Sequence, residues 1–162
     1  MGSRKIAKGL RRRLNFHPDL ALDFFLVFSR FEFALKRAGF VRDGAKQALA
    51  DWEKFAKALK KIDTSAVLKC CTYLREHPPK KQVLDGGQLS WTLPTRNGAD
   101  IEKILLDVRT IRNNVFHGGK YGPGPVDEPL RDRQLIKDCL GVLGTLLELP
   151  DLPEGIRENF GQ

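Results

Sequence analysis

Apolar positions recur at helical spacing through most of this chain. Phe24, Phe28, Phe31, Leu35 and Ala38 fall at alternating intervals of four and three, which predicts an amphipathic helix over about 19–39 that stops at Gly39. Leu22, Leu26 and Phe33 add apolar surface on another side, so this helix is expected to be central. Leu49, Trp52, Phe55, Ala56, Leu59 and Ile62 predict a second helix over about 44–62. A short third, about 65–77, carries Val67, Cys70, Cys71 and Leu74, with Asp63 or Thr64 as its cap and Pro78–Pro79 as its stop. Ile101, Ile104 or Leu105, Val108, Ile111 and Val115 form one face of a fourth helix, about 99–117. In the fifth, opened by Pro129 and closed by Pro150, the core face is expected to be Ile136, Leu140, Leu143 and Leu147. Asp127 and Glu128 would lie at its positive end. Gly141 and Gly144, each costing about 1 kcal/mol against Ala inside a helix, suggest close approach of another backbone there.

Residues 78–98 break this period. They are rich in Pro, Gly and turn dipeptides, and two extended stretches, 82–84 and 88–93, flank Asp85-Gly86-Gly87, which predicts a small hairpin or surface excursion. There is too little apolar material here for a second core. The expected fold is therefore all-α: an antiparallel bundle of four to five helices with a loop or hairpin excursion, in one domain spanning 1–162. Residues 1–18 read as a basic N-terminal arm and 150–162 as a C-terminal tail.

Charge changes the picture. The net charge is +8, and the first 18 residues hold Arg4, Lys5, Lys8, Arg11, Arg12 and Arg13 with no acid. A second basic set, Lys54, Lys57, Lys60 and Lys61, lies on the polar side of the second helix. That is the electrostatic footprint of a protein that meets polyanions, nucleic acid above all. No apolar run approaches the roughly 18 residues that cross a bilayer, and no signal peptide is visible, so no membrane role is expected. Of three cysteines, two are the adjacent pair Cys70–Cys71, which gives neither a disulfide framework nor a metal site; a reducing cytoplasm is the expected setting.

Candidate chemistry gathers at the end of the fourth helix. With Ile104, Val108, Ile111 and Val115 facing the core, Arg109, Asn113 and His117 stand at i, i+4 and i+8 along one exposed strip. Arg112 lies about 100° round the helix from Asn113, and its long side chain can reach the same space. Two guanidinium groups, an amide and an imidazole suit a phosphodiester, which arginine binds with two parallel hydrogen bonds. The plainer reading is a helix C-cap, with His at the negative end and Gly118 beyond it. Residues 118–122, Gly-Gly-Lys-Tyr-Gly, have the wrong spacing for a P-loop and follow a helix. His17, His77 and His117 are far apart and lack partners at metal-ligand spacing, so neither metal nor cofactor is expected.

Arg112-Asn113-Asn114-Val115-Phe116-His117 resembles the Arg-x4–6-His signature of the HEPN superfamily (higher eukaryotes and prokaryotes nucleotide-binding). Asn113 matches the polar residue favoured after the arginine, and residues 29–40, SRFEFALKRAGF, resemble the first long helix of many bacterial members. The resemblance implies a metal-independent endoribonuclease, frequently a toxin or phage-defence effector, working as a homodimer whose two motifs face each other. It implies RNA as substrate and cleavage by the RNA's own 2′-hydroxyl, leaving a 2′,3′-cyclic phosphate and a 5′-hydroxyl. His117 would be the general acid or base, Arg112 would hold the scissile phosphate, and Asn113 would orient the imidazole or bond the phosphate. Arg109, Lys120 and Asn114 complete the expected substrate contacts, and Glu32, with Arg30, is the candidate for orienting Arg112. Glu32 and Lys36 could equally form a plain surface pair. Some members of the superfamily are catalytically dead. The alternatives are thus a non-catalytic nucleic-acid- or partner-binding module, or a subunit silent until an antitoxin or minimal nucleotidyltransferase partner releases it.

Overall fold

Three long helices set the architecture. In the computed structural model, which describes residues 3–12, 14, 16–44, 46–117 and 129–162, they are α2 (Pro18–Arg37), α6 (Asp100–Phe116) and α7 (Pro129–Glu148). Helix α1 (Ser3–Arg11) precedes them; α3 (Trp52–Leu59), α4 (Ser65–Cys70) and α5 (Thr72–Glu76) follow α2 in the chain, with α3 packed on α6 and α4 and α5 on α7; α8 (Ile156–Phe160) comes last and packs on α2. Between α5 and α6, β1 (Lys81–Asp85) and β2 (Gln88–Thr92) pair antiparallel. The fold is all-α, with eight helices among the described residues and the expected hairpin excursion. Among the described residues no helix is long and apolar enough to cross a membrane.

Helix α2 starts and stops for local reasons. Pro18 occupies its first turn, and His17 Nδ1 accepts the Asp19 amide at 3.3 Å. At its end Gly39 takes φ 85°, the Phe40 amide donates to the Leu35 carbonyl, and the Gly39 amide donates to that of Lys36. Such paired bonds are the Schellman stop that glycine permits. Phe24, Phe28, Phe31 and Leu35 are buried as their spacing predicts, and Trp52 stacks on Phe28 and Phe31 at 5.3 and 5.7 Å. Each such ring contributes about 2–3 kcal/mol of burial.

Leu22, Leu26 and Phe33 are a correction. They remain 54%, 52% and 39% exposed on the side of α2 that faces away from the core, so this helix is not central; it flanks the bundle with one apolar stripe uncovered.

The second helix is shorter than its periodicity suggested, and Leu49 is exposed. Residues 40–42 and 49–51 instead pair as a small antiparallel strap: Val41 bridges Ala50, the Arg42 amide donates to the Leu49 carbonyl at 3.0 Å, and the Asp51 amide donates to the Phe40 carbonyl at 2.8 Å. Asp51 then caps α3 by accepting the Lys54 amide at 2.8 Å, which moves the helix start to Trp52.

The third helix is two. Cys71, at φ −127° and ψ 42°, interrupts it, and Asp138 of α7 accepts the Leu74 amide at 2.8 Å, supplying the cap that α5 lacks locally. Asp63 accepts the Ser65 amide at 2.8 Å ahead of α4, as expected of one of its two candidates.

On α7 the core face is Leu135, Ile136, Cys139, Val142, Leu143 and Leu146; Leu140 and Leu147 are only partly buried, so the true stripe is rotated from the expected one. A Cβ on Gly141 would sit 3.8 Å from Cys70, ordinary contact, and one on Gly144 would meet nothing, so neither glycine is demanded by a close backbone. The C-terminal segment is not a loose tail: Leu152 and Ile156 are buried and Phe160 lies edge-on to Phe31 at 6.4 Å. No residue of α1 is buried, in keeping with a basic arm. Asp127 and Glu128 lie outside the described residues.

Candidate nucleic-acid site at the end of α6

Helix α6 is anchored from both sides. At its start Glu102 accepts the Ala99 amide at 2.7 Å. In its middle Asp107, fully buried, takes a hydrogen-bonded ion pair from Arg96 of the incoming loop at 2.5 Å. Burial pushes the Asp107 carboxyl up to about 6, and the Arg96 charge and hydrogen bond oppose that rise. Ile101, Ile104, Leu105, Val108, Ile111 and Val115 seal the core face. The other face is thereby fixed in direction.

Arg109, Arg112 and Asn113 project from that face into a cleft of about 250 Å³, walled by Phe28, Glu32 and Lys36 of α2, by Arg42 of the strap, by residues 48–50, and by Trp52. Four cationic side chains and one carboxylate line it. Arg112 lies over two aromatic rings, its guanidinium carbon 5.5 Å from the centre of Phe28 and 5.6 Å from that of Phe116. Its Nη1 donates to the Asn113 side-chain oxygen at 3.0 Å. A guanidinium so held keeps its remaining N–H groups for another acceptor.

Arg109 is half-buried, and among the described residues no hydrogen bond or ion pair engages its guanidinium. Its pKa is lowered, first by burial and then by the Arg42 charge, with Glu53, Glu32 and Asp51 opposing.

His117 is the C-cap residue of α6: its amide donates to the Asn113 carbonyl at 2.9 Å, and its side chain is exposed. It does not line the cleft. It follows Arg112 by about 7.5 Å of rise along the axis. The C-cap geometry read from the sequence is therefore real, and the exposed imidazole is compatible with chemistry as well.

Three expected site residues lie elsewhere in role or place. Asn114 is buried and donates its amide to the Lys80 carbonyl at 2.7 Å, tying the hairpin's base to α6; it faces away from any substrate on the cleft side. Arg30 donates to the Phe160 and Gln162 carbonyls at 2.8 and 2.5 Å, so it fastens α8 and does not orient Arg112. Glu32 does reach the cleft, but it accepts from Trp52 Nε1 at 2.9 Å, and among the described residues it makes no ion pair with Arg112 or Lys36. Lys120 lies outside the described residues. Arg42 is the cleft residue that the sequence did not disclose, because nothing in the local pattern marks a strap. Among the described residues no group of three His, Cys, Asp or Glu side chains could hold a metal ion.

No protein-family model, curated protein or solved structure matches the chain.

Proposed function

We propose that the protein is an RNA-cleaving enzyme of HEPN type, with Arg112 and His117 as its reacting pair. The observation that carries this reading is the cleft itself: a guanidinium fixed over aromatic rings and by Asn113, in a cationic pocket, with an exposed imidazole five residues on at the helix end. Arg112 holds the scissile phosphate and offsets the charge that grows on its oxygens. His117 accepts the 2′-hydroxyl proton or donates one to the leaving 5′-oxygen. The 2′-oxygen forms a bond to phosphorus as the bond from phosphorus to the 5′-oxygen breaks, so the nucleophile belongs to the substrate. Asn113 acts on Arg112 through its side-chain oxygen, which accepts from the guanidinium, and its amide N–H groups stay available to the phosphate or the imidazole.

The second half of the proposal is a homodimer. A single chain carries one imidazole in the motif, whereas acid and base duties are best met by two. The uncovered stripe Leu22, Leu26 and Phe33, with Phe25 47% exposed beside it, supports this reading. Phe25 lies 5.4 Å from Phe116, so the apolar patch is continuous with the motif. A two-fold interface on that patch pairs like surfaces and draws the motifs together. The same basic cleft would serve a module that binds RNA without cutting it, alone or held silent by an antitoxin or nucleotidyltransferase partner.

The deciding experiment is cleavage of a short unstructured RNA in EDTA. Cyclic-phosphate and 5′-hydroxyl ends at the rate seen in magnesium are expected; activity that chelation abolishes and a divalent ion restores overturns the mechanism, and binding without any cutting leaves the binding module.

A further inference from the structure

We propose that Arg42 and Arg109 form a second phosphate subsite, which takes a backbone phosphate of the same RNA strand beside the one held by Arg112. The inference rests on the reading of the cleft as an RNA site and adds a contact from outside the motif. Its basis is a pair of like charges brought to one place by two unrelated elements. Arg42 is carried by the strap, whose backbone is fixed by the Arg42–Leu49 and Asp51–Phe40 hydrogen bonds. Arg109 is carried by α6, three residues before Arg112. Both line the same cleft, and among the described residues neither guanidinium makes a hydrogen bond or an ion pair.

The carboxylates nearest in effect, Glu53, Glu32 and Asp51, do not close an ion pair with Arg109, and Glu32 is already engaged by Trp52. Of the surrounding charges, Arg42 acts on Arg109 most strongly. A half-buried guanidinium beside another cation, with carboxylates nearby but no closed ion pair, is unfavourable in the free protein. An anion seated between the two relieves both the repulsion and the unmet donors. Planar guanidinium groups favour a phosphate there, through paired N–H contacts to its oxygens.

The spacing suits a strand. Arg109 and Arg112 are separated by about 4.5 Å of rise along α6, of the same order as the roughly 3.4 Å of axis per phosphate on one strand of a stacked helix. Long side chains diverging from adjacent turns can therefore meet successive phosphates. Lys36 lines the same cleft and adds positive potential.

The test uses the full chain and non-cleavable 2′-O-methyl oligonucleotides: a dinucleotide with a single phosphodiester, and a tetranucleotide. Fluorescence anisotropy is followed against salt for the wild type, Arg42→Ala, Arg42→Lys and Arg109→Ala. In the wild type the tetranucleotide should bind about tenfold more tightly than the dinucleotide, the ordinary worth of one charge-assisted contact. Arg42→Ala and Arg109→Ala should each lose most of that increment while leaving the dinucleotide nearly unchanged. Each should also flatten the salt dependence for the tetranucleotide by about 0.7 of a slope unit. Arg42→Lys should keep the slope and recover part of the increment, which also excludes misfolding as the cause. Equal losses for both oligonucleotides, or no loss in Arg42→Ala, overturn the subsite. Inorganic phosphate bound as tightly as the tetranucleotide, in an Arg42-dependent way, overturns the strand assignment in favour of a free phosphate. Because no step is cut, RNA cleavage without the Arg42-dependent increment defeats this proposal alone. The increment without any RNA cleavage defeats the nuclease reading alone.

Discussion

Asn113 gives its side-chain oxygen to the guanidinium of its own neighbour, 3.0 Å from Arg112 Nη1. Adjacent residues on a helix point about 100° apart, so this contact bends the arginine back along the helix surface and over Phe116. The pair is a positioning device built from two consecutive residues.

Asn113→Ala should therefore lower kcat more than it raises KM, because the arginine remains but loses its fixed direction. A loss of about tenfold is expected, near the worth of one oriented charge-assisted bond. Asn113→Asp should retain the contact and recover part of the rate. Steady-state kinetics on a short RNA will check this. Equal turnover in wild type and Asn113→Ala refutes the positioning role.

Arg112→Ala should abolish cleavage and weaken binding as well. Arg112→Lys should rescue binding better than turnover, since lysine restores the charge over the Phe28 and Phe116 rings but not the planar fork. Measured affinity and rate that recover together argue against a bidentate phosphate contact.

His117→Ala should lose cleavage and keep RNA affinity. The side chain is exposed at the helix end, so the stability change should be about 1 kcal/mol or less. Urea denaturation beside a cleavage assay separates the outcomes: a variant that unfolds, or one that cuts RNA like wild type, leaves only the capping role.

Leu26→Glu combined with Phe33→Glu should convert a dimer to a monomer without unfolding it, because both side chains are already exposed in the single chain. Cleavage should fall with the dimer. Light scattering and activity across a dilution series check this, and a monomeric wild type that cleaves at full rate at nanomolar concentration rules the dimer out.

The Arg96–Asp107 pair sets a pH dependence of stability. Folding raises the Asp107 carboxyl from an ordinary carboxylate value to about 6, so the native state holds this proton more tightly than the unfolded chain. Its contribution is fully present below about pH 4 and is lost as pH rises through about 6. For this group alone, lowering the pH from about 7 to 5 should add about 1 kcal/mol. Arg96→Ala removes the charge that holds the pKa down, so the carboxyl should rise further. The variant should lose roughly 3 kcal/mol above about pH 7 and distinctly less near 5, where the carboxyl is neutral. Urea titrations of both proteins across that range provide the check; a pH-independent difference would mean that Asp107 does not titrate there.

What the sequence determined by itself is local. Helical periodicity located α2 and α6 nearly to the residue, Asp85-Gly86-Gly87 located the hairpin turn through glycines at φ 55° and 82°, and the buried face of α6 placed Arg109 and Asn113 together on its other side, with His117 at the helix end outside their cleft. Only the tertiary structure decided which apolar stripe meets a partner element. Leu22, Leu26 and Phe33 carry as strong a pattern as the core residues, yet among the described residues they stay 54%, 52% and 39% exposed. It also decided which polar groups are consumed by structure. Asn114 is engaged by the Lys80 carbonyl and Arg30 by the carbonyls of Phe160 and Gln162, because packing brings backbone acceptors from distant segments to them. Arg42 enters the cleft for the converse reason: a strap of backbone hydrogen bonds, with no periodic signature, lays it against α6. Spacing along a chain fixes which side of a helix a residue occupies. Which distant segment arrives at that side depends on packing the whole bundle.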